Sequence, residues 1–158
     1  MKPAQVLERL DRTLDEWRCR IDAFGDRSFQ LRPGPDAWCA GQVAHHVALA
    51  SDYLLDNALA CARHEGEKGR WALLPAVMFA WGSFPPIRIR LGEVPKDVEP
   101  IRKPDPIDRE WARRLLERID ERMHGAAAAV EQAAPDLRRE HFTAGWFNGH
   151  QWFQSVEM

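Results

Sequence analysis

Apolar residues recur at every third or fourth position over long stretches of this chain, and this spacing most limits how it can fold. The first stretch, residues 5–24, carries Leu7, Leu10, Leu14, Trp17, Ile21 and Phe24. An α-helix places residues with this spacing on one face, so the stretch predicts an amphipathic helix that must pack against a partner. Gly25-Asp26 should end it, and the Pro- and Gly-rich residues 27–37 predict a loop.

Two further stretches repeat the helical spacing. Residues 40–64 predict a second helix, whose apolar stripe is Val43, His46, Val47, Ala50, Leu54, Ala58 and Cys61. A third helix should start with Asp105 as its N-cap and Pro106 at its first position, and end at Ala134-Pro135. Its stripe is Trp111, Leu115, Ile119, Met123 and Val130.

The segment between the second and third helices is rich in proline, which disfavours a long regular helix there. Residues 70–81 predict a short helix broken at Pro75. Residues 82–106 contain six prolines and predict an extended crossover that wraps around the helices.

A last helix should begin at Asn148, with Gln151 completing a capping box. Its pattern reaches Met158 with no C-terminal signal, and Glu157 would oppose the dipole of a helix that ended there. We therefore expect the helix to be truncated and to continue naturally beyond Met158.

Together these patterns predict an all-α fold: a four-helix bundle with one long crossover, forming a single domain over residues 1–158. The net charge of −2 argues against a nucleic-acid partner. The longest apolar run, 71–81, has eleven residues, whereas a bilayer-spanning helix needs about 20, which argues against a membrane protein. Three distant cysteines without a CxxC motif, and no visible signal peptide, predict a cytoplasmic location.

Histidines are the first candidates for chemistry. His46 lies on the apolar stripe of the second helix, where burial would favour the neutral imidazole that binds metals. The alternative is a core histidine that is hydrogen-bonded to a neighbouring element. His45 lies about 100° around the helix, too far to share one ion easily with His46. His141 and His150 are weaker candidate ligands, because their spacing specifies nothing.

The remaining histidines, cysteines and tryptophans are less specific. His64 and His124 lie among charges near helix ends and should face solvent. Cys39 could be the N-cap of the second helix, either as a reactive thiol or as an inert cap, while Cys19 and Cys61 should be core or boundary residues. Most of the seven tryptophans should be core, although the pairs Trp146-Phe147 and Trp152-Phe153 could also line a pocket or a dimer face.

Residues 34–47 resemble the second-helix signature of the DinB-like (YfiT-like) superfamily of metalloproteins. In that signature a Pro-rich loop leads to a Trp, then a small N-cap residue that is usually Ser, and a His eight residues after the Trp. Trp38 and His46 occupy these positions here, with Cys39 in place of the Ser. Residues 141–153 also resemble the family's His-Pro-x-x-Gly motif and the aromatic segment that follows it, which leads in the family to an HxxxH-type pair.

This resemblance implies a homodimeric four-helix bundle that holds a divalent metal, zinc or nickel, with three histidines. His46 matches the first ligand, and the other two are expected beyond Met158. His45, Trp38 and Trp152 would adjoin the metal or line its pocket. The implied activity is the metal-dependent transfer of a low-molecular-weight thiol, or hydrolysis. The alternative is a non-catalytic dimeric bundle, or a small-ligand-binding module, that lacks the metal site.

Overall fold

The computed structural model describes residues 2–68, 96–141 and 145–156. The chain is mostly helical and has one small sheet. The elements in chain order are α1 (Pro3–Asp22), α2 (Asp26–Phe29), α3 (Ala40–Ala62), β1 (Glu67–Lys68), a 3-10 turn (Lys96–Val98), α4 (Glu99–Arg102), α5 (Arg109–Glu131), β2 (Leu137–His141), β3 (Gly145–Asn148) and α6 (Gly149–Ser155).

The long helices confirm the periodicity, with bounds that shift by a few residues. Helix α1 buries Val6, Leu10, Leu14 and Ile21, so its predicted stripe faces the core. Phe24, the last member of that stripe, lies beyond the helix and is 39% exposed. The predicted short helix over residues 70–81 lies outside the described residues, as does most of the predicted crossover.

Helix α3 follows its predicted stripe only near its end. Ala58 and Cys61 are fully buried, as predicted. Earlier in the helix the stripe residues are half-buried, and the neighbouring row lies in the core instead: Ala44, Ala48, Ser51 and Leu55 are buried, whereas Val43, His46, Val47, Ala50 and Leu54 are half-buried. The reason is that α3 packs against α5 on one side and α6 on another, so its apolar surface is wider than one stripe. The sequence pattern of such a helix does not fix which apolar row lies deepest.

Helix α5 begins later than predicted. Its N-cap is Asp108, whose Oδ1 accepts a hydrogen bond from the Trp111 backbone nitrogen at 2.7 Å, and not Asp105. Ile107 is buried before the helix starts, against the beginning of α3. Trp111, predicted to face the core, is 48% exposed, and Ala112 and Leu116 are buried instead.

Three elements differ from the predictions: a short helix within the predicted loop, a small sheet in a fold predicted to be all-α, and a helical part of the predicted extended crossover. Residues 27–37 were predicted as loop, but the short helix α2 overlaps their start because Phe29 is anchored in the core against Phe24, with 5.8 Å between ring centroids. The three strands form an antiparallel sheet in the order β1-β2-β3. Part of the predicted extended crossover is also helical, over 96–102.

The helices enclose one core. Helix α3 packs against α5 and α6, α1 packs against α5, and α6 also contacts α1 and α5. The largest fully buried side chains come from α1, α2, α5, α6 and the sheet, and include Leu10, Phe29, Met123, Phe147, Trp152 and Phe153. Each such side chain contributes about 1.5–3 kcal/mol by leaving water. None of the helices within the described residues is long and apolar enough to cross a membrane.

Charged side chains join α3 to α5 across the surface of this core. Asp52 on α3 accepts hydrogen bonds from both Arg118 and Arg122 on α5, and Arg122 also binds Asp56 at 2.6 Å. Asp52 is the least exposed of these side chains, at 22%. The pairing therefore concentrates on one half-buried carboxylate that receives two guanidinium groups.

Candidate functional site around His46

His46 is half-buried on the second turn of α3, and its ring is oriented by the backbone of a distant segment. Its Nδ1 lies 2.6 Å from the carbonyl oxygen of Ile101. A carbonyl oxygen only accepts hydrogen bonds, so Nδ1 carries the proton and the lone pair of the neutral ring lies on Nε2. A metal-bound imidazole has this arrangement, in which the second ring nitrogen donates to a carbonyl or carboxylate.

The Trp38 side chain covers one side of His46. Their ring centroids are 5.0 Å apart and the rings are tilted by 51°. Trp38 is itself 39% exposed and also lines a cavity. Trp38 and His46 are therefore in contact, and Trp38 is shared between the histidine and the cavity.

Two more side chains at the start of α3 hold the same distant segment. Gln42 Nε2 donates to the Pro104 carbonyl at 3.0 Å, and His45 Nδ1 lies 3.0 Å from the Asp105 carbonyl oxygen. The His45 ring also approaches the exposed Trp111, at 6.1 Å between centroids. His45 thus helps to orient residues 101–105, from which the hydrogen bond to His46 comes.

Close approach at Gly41 makes these hydrogen bonds possible. A Cβ atom at this position would collide with the carbonyl oxygen of Ile107 and lie 3.1 Å from its nitrogen. Only glycine lets the 107 backbone pass this near the helix. The requirement was not visible in the sequence, where Gly41 is one small residue in a helical pattern.

His141 lies in an aromatic cluster on the sheet side of the molecule. Its ring stacks on Phe147 at 5.4 Å and approaches Trp152 at 5.2 Å and Tyr53 at 6.2 Å between centroids. Burial lowers the pKa of His141 to about 4, so the ring is neutral at neutral pH. His141 is the last residue of strand β2.

The described residues do not assemble the three histidines. Tyr53, which contacts His141, follows His46 by two helical turns, roughly 10 Å along the axis. His150 is half-buried at the second position of α6. Within 2–68, 96–141 and 145–156, His46, His141 and His150 do not form a group of three adjacent ligands.

A different group does bring three possible ligands together in the described part of the chain. Asp11 on α1, and Asp120 and His124 on α5, have one ligand atom each within 4.8 Å of the others. His124 Nε2 is 3.2 Å from Asp11 and 3.3 Å from Asp120, while Arg18 binds Asp120 at 3.2 Å. The arrangement is a surface ion-pair network. His124 is exposed, as is His64, in agreement with the sequence analysis.

Trp152 is a core residue. It is fully buried, and its Nε1 has no hydrogen-bond partner among the described residues. Its indole contacts Phe147 and Tyr53 as well as His141. That Trp152 adjoins a metal or lines its pocket stays a prediction.

The cysteines have distinct environments. Cys39 caps α3 as predicted, with its Sγ accepting a hydrogen bond from the Gln42 nitrogen at 3.4 Å, and it is buried. Burial also raises the pKa of the Cys61 thiol, which keeps it protonated. Cys19, expected at a core or boundary position, is exposed.

An apolar cavity of about 440 Å³ opens beside Trp38. It is bounded by the last turns of α1, by α2 and by the start of α3. Sequence reasoning missed it because the pattern of each element does not show how α1, α2 and α3 pack against one another. The lining residues are Trp17, Arg20, Ile21, Phe24, Ser28, Phe29, Leu31, Pro33, Trp38, Ala40, Val43 and Ala44.

Comparisons of the chain with protein-family models, curated proteins and solved structures gave no match.

Proposed function

We propose that this chain is a DinB-like metalloprotein in which His46 Nε2 binds a divalent ion, zinc or nickel. Helices α1, α3, α5 and α6 form the proposed four-helix bundle, and two copies form the proposed homodimer. The single observation that supports the metal proposal best is the hydrogen bond between His46 Nδ1 and the Ile101 carbonyl, since it leaves Nε2 with its lone pair.

The proposed activity follows from what such an ion supplies. A zinc or nickel ion with an open coordination position lowers the pKa of a bound thiol or water and so favours thiol transfer or hydrolysis. In the chain itself, the Ile101 carbonyl fixes the tautomer of His46, and Trp38 shields one side of the ring from water. Among the described residues, His46 is not part of a group of three possible ligands, so the complete ligand set is part of the proposal.

Metal binding of matched histidine variants tests the proposal. Purified protein is dialysed against zinc or nickel, and the bound metal is measured by mass spectrometry for wild type, His46→Gln and His64→Gln, which changes an exposed histidine outside the site. The wild type and His64→Gln should retain metal, and His46→Gln should lose most of it. His124→Gln serves as a second control, because the exposed group with Asp11 and Asp120 would otherwise account for weak binding.

Retention of metal by His46→Gln, or no retention by the wild type, would refute the metal proposal. The second candidate function, a small-ligand-binding module without a metal, is favoured by the apolar cavity beside Trp38. Sedimentation equilibrium tests the dimer separately, because a monomer at all concentrations would contradict it whether or not metal binds.

A further inference from the structure

Exposed apolar side chains of the described residues concentrate at one place. Phe24, Leu31, Trp38 and Trp111 are the large apolar side chains with extensive exposure, from 39% to 68%. All of them except Trp111 line the cavity between α1, α2 and α3. Single exposed apolar residues are common on protein surfaces, but several of them grouped around one cavity are typical of a binding site.

The shape of this cavity fits a compact molecule. Trp17 and Ile21 on α1 form one wall, Phe29 closes the α2 side, and Val43 and Ala44 on α3 form the floor. Its volume of about 440 Å³ lies within the range of small-molecule sites, roughly 300–1,000 Å³. Indole and phenyl rings on several sides favour a ligand with a flat ring, which can stack or meet the walls edge-on.

Arg20 supplies the one charge among the residues that line the cavity. Its nearest carboxylate is that of Glu16, with 3.7 Å between Nη2 and Oε2, and both side chains are more than 70% exposed. An ion pair so long and so exposed holds the guanidinium weakly. Arg20 can therefore turn to bind a carboxylate at the rim through two parallel hydrogen bonds.

We propose that this cavity is a binding site for a small ring-containing organic acid. The ring lies among Trp17, Phe24 and Trp38, and the carboxylate binds Arg20 at the rim. The charge of Arg20 within a lining that is otherwise uncharged and, apart from Ser28, apolar favours this occupant over a neutral lipid-like molecule or a second copy of the chain. The site is separate from the proposed metal and does not depend on it, although Trp38 contacts both the cavity and His46.

The test uses 2-naphthoic acid as the probe and 2-naphthalenemethanol as its uncharged counterpart, with protein freed of metal by chelation. Binding is followed by isothermal titration calorimetry. The acid should bind about five- to tenfold more tightly than the alcohol, the size expected for one charge-assisted contact at a rim. Arg20→Gln should abolish this difference, and Arg12→Gln, on the same helix but outside the cavity, should retain it.

A second experiment fills the cavity with a larger side chain. Val43→Phe should lower the affinity for both probes by at least about tenfold, because the added ring occupies part of the cavity. Leu31→Glu changes the most exposed wall residue, so it should fold normally and should weaken the acid more than the alcohol.

Equal affinity of the acid for wild type and Arg20→Gln, or the absence of saturable binding by wild type, would overturn the proposal. A dimer that Leu31→Glu dissociates would overturn it as well, since the same face would then be occupied by a second copy. Failure of this site leaves the metal proposal standing, because the metal is measured at His46 in the absence of either probe.

Discussion

The imidazole of His46 donates its Nδ1 proton to the carbonyl oxygen of Ile101, 55 residues further along the chain. A side chain near the start of α3 is thus oriented by the backbone of α4. Residues 101–107 follow this course because Gln42 and His45 also bind them, and because Gly41 leaves room for Ile107. The orientation of the candidate ligand therefore depends on packing beside the site.

Gly41→Ala should destabilise the protein by about 1–3 kcal/mol, since the added methyl group must displace the 107 backbone. Gly125→Ala is the matched control, because a Cβ there meets nothing within 4 Å and lies inside helix α5. It should stabilise the protein by about 0.5–1 kcal/mol. Urea denaturation measures both, and a change of the same sign in the two variants would contradict the close approach.

His141→Phe should reduce the pH dependence of stability between pH 6.5 and about 4. Burial lowers the pKa of His141 from 6.5 to about 4, so in this window the unfolded chain binds a proton that the folded chain does not. The free energy of unfolding therefore falls as the pH falls through the window and levels off below it. The contribution is at most about 3.5 kcal/mol, which is the 2.5-unit difference in pKa at about 1.4 kcal/mol per unit.

Urea denaturation at several pH values measures this effect in wild type, His141→Phe and the exposed control His64→Asn. The Phe ring keeps the stacking with Phe147 but binds no proton. The control should follow the wild-type curve. An unchanged curve for His141→Phe would show that other groups account for the loss of stability.

Asp52→Asn should cost about 1–2 kcal/mol, because it weakens hydrogen bonds from both Arg118 and Arg122 to a carboxylate that is 22% exposed. Asp56→Asn should cost less than about 0.5 kcal/mol, since Asp56 is 66% exposed and binds Arg122 alone. The difference should shrink in about 1 M salt, which screens the charges. Equal losses for the two variants would show that the α3–α5 pairing is not concentrated on Asp52.

Cys39→Ala should lower stability by about 1 kcal/mol, because the backbone nitrogen of Gln42 would lose its hydrogen bond to the N-cap side chain. Cys39→Ser should be at least as stable as the alanine variant and close to wild type, because a hydroxyl oxygen is a better acceptor than sulfur. Thermal denaturation of the three proteins gives the order. An alanine variant as stable as the serine variant would show that the cap contributes little here.

The sequence by itself determined the features that depend only on residues close together in the chain, namely the long helices and their N-caps. The apolar spacing predicted helices α1, α3 and α5, and the local chemistry of Cys39 and Asn148 predicted two N-caps that the structure confirms. A cap and a helical stripe involve residues within a few positions of each other, so their signals are present in a short window of sequence.

The strands required information that no short window holds. Leu137–His141 is a polar stretch without apolar alternation, and it becomes a strand because β3 pairs with it and Leu137 and Phe147 reach the core. Helix α2 forms in the same way, through the burial of Phe29. In both cases tertiary packing overrode a local preference for loop.

The candidate site, too, was determined partly by the sequence and partly by the tertiary structure. The sequence singled out His46 and placed Trp38 near it, whereas only the tertiary structure supplied the Ile101 carbonyl, separated His141 from His46 and opened the cavity beside Trp38. Each of these depends on how distant elements meet. Periodicity specifies which elements form, but the contacts between them depend on how their side chains fit together. At Gly41 this fit depends on the absence of a side chain, because a Cβ atom would collide with the backbone of Ile107.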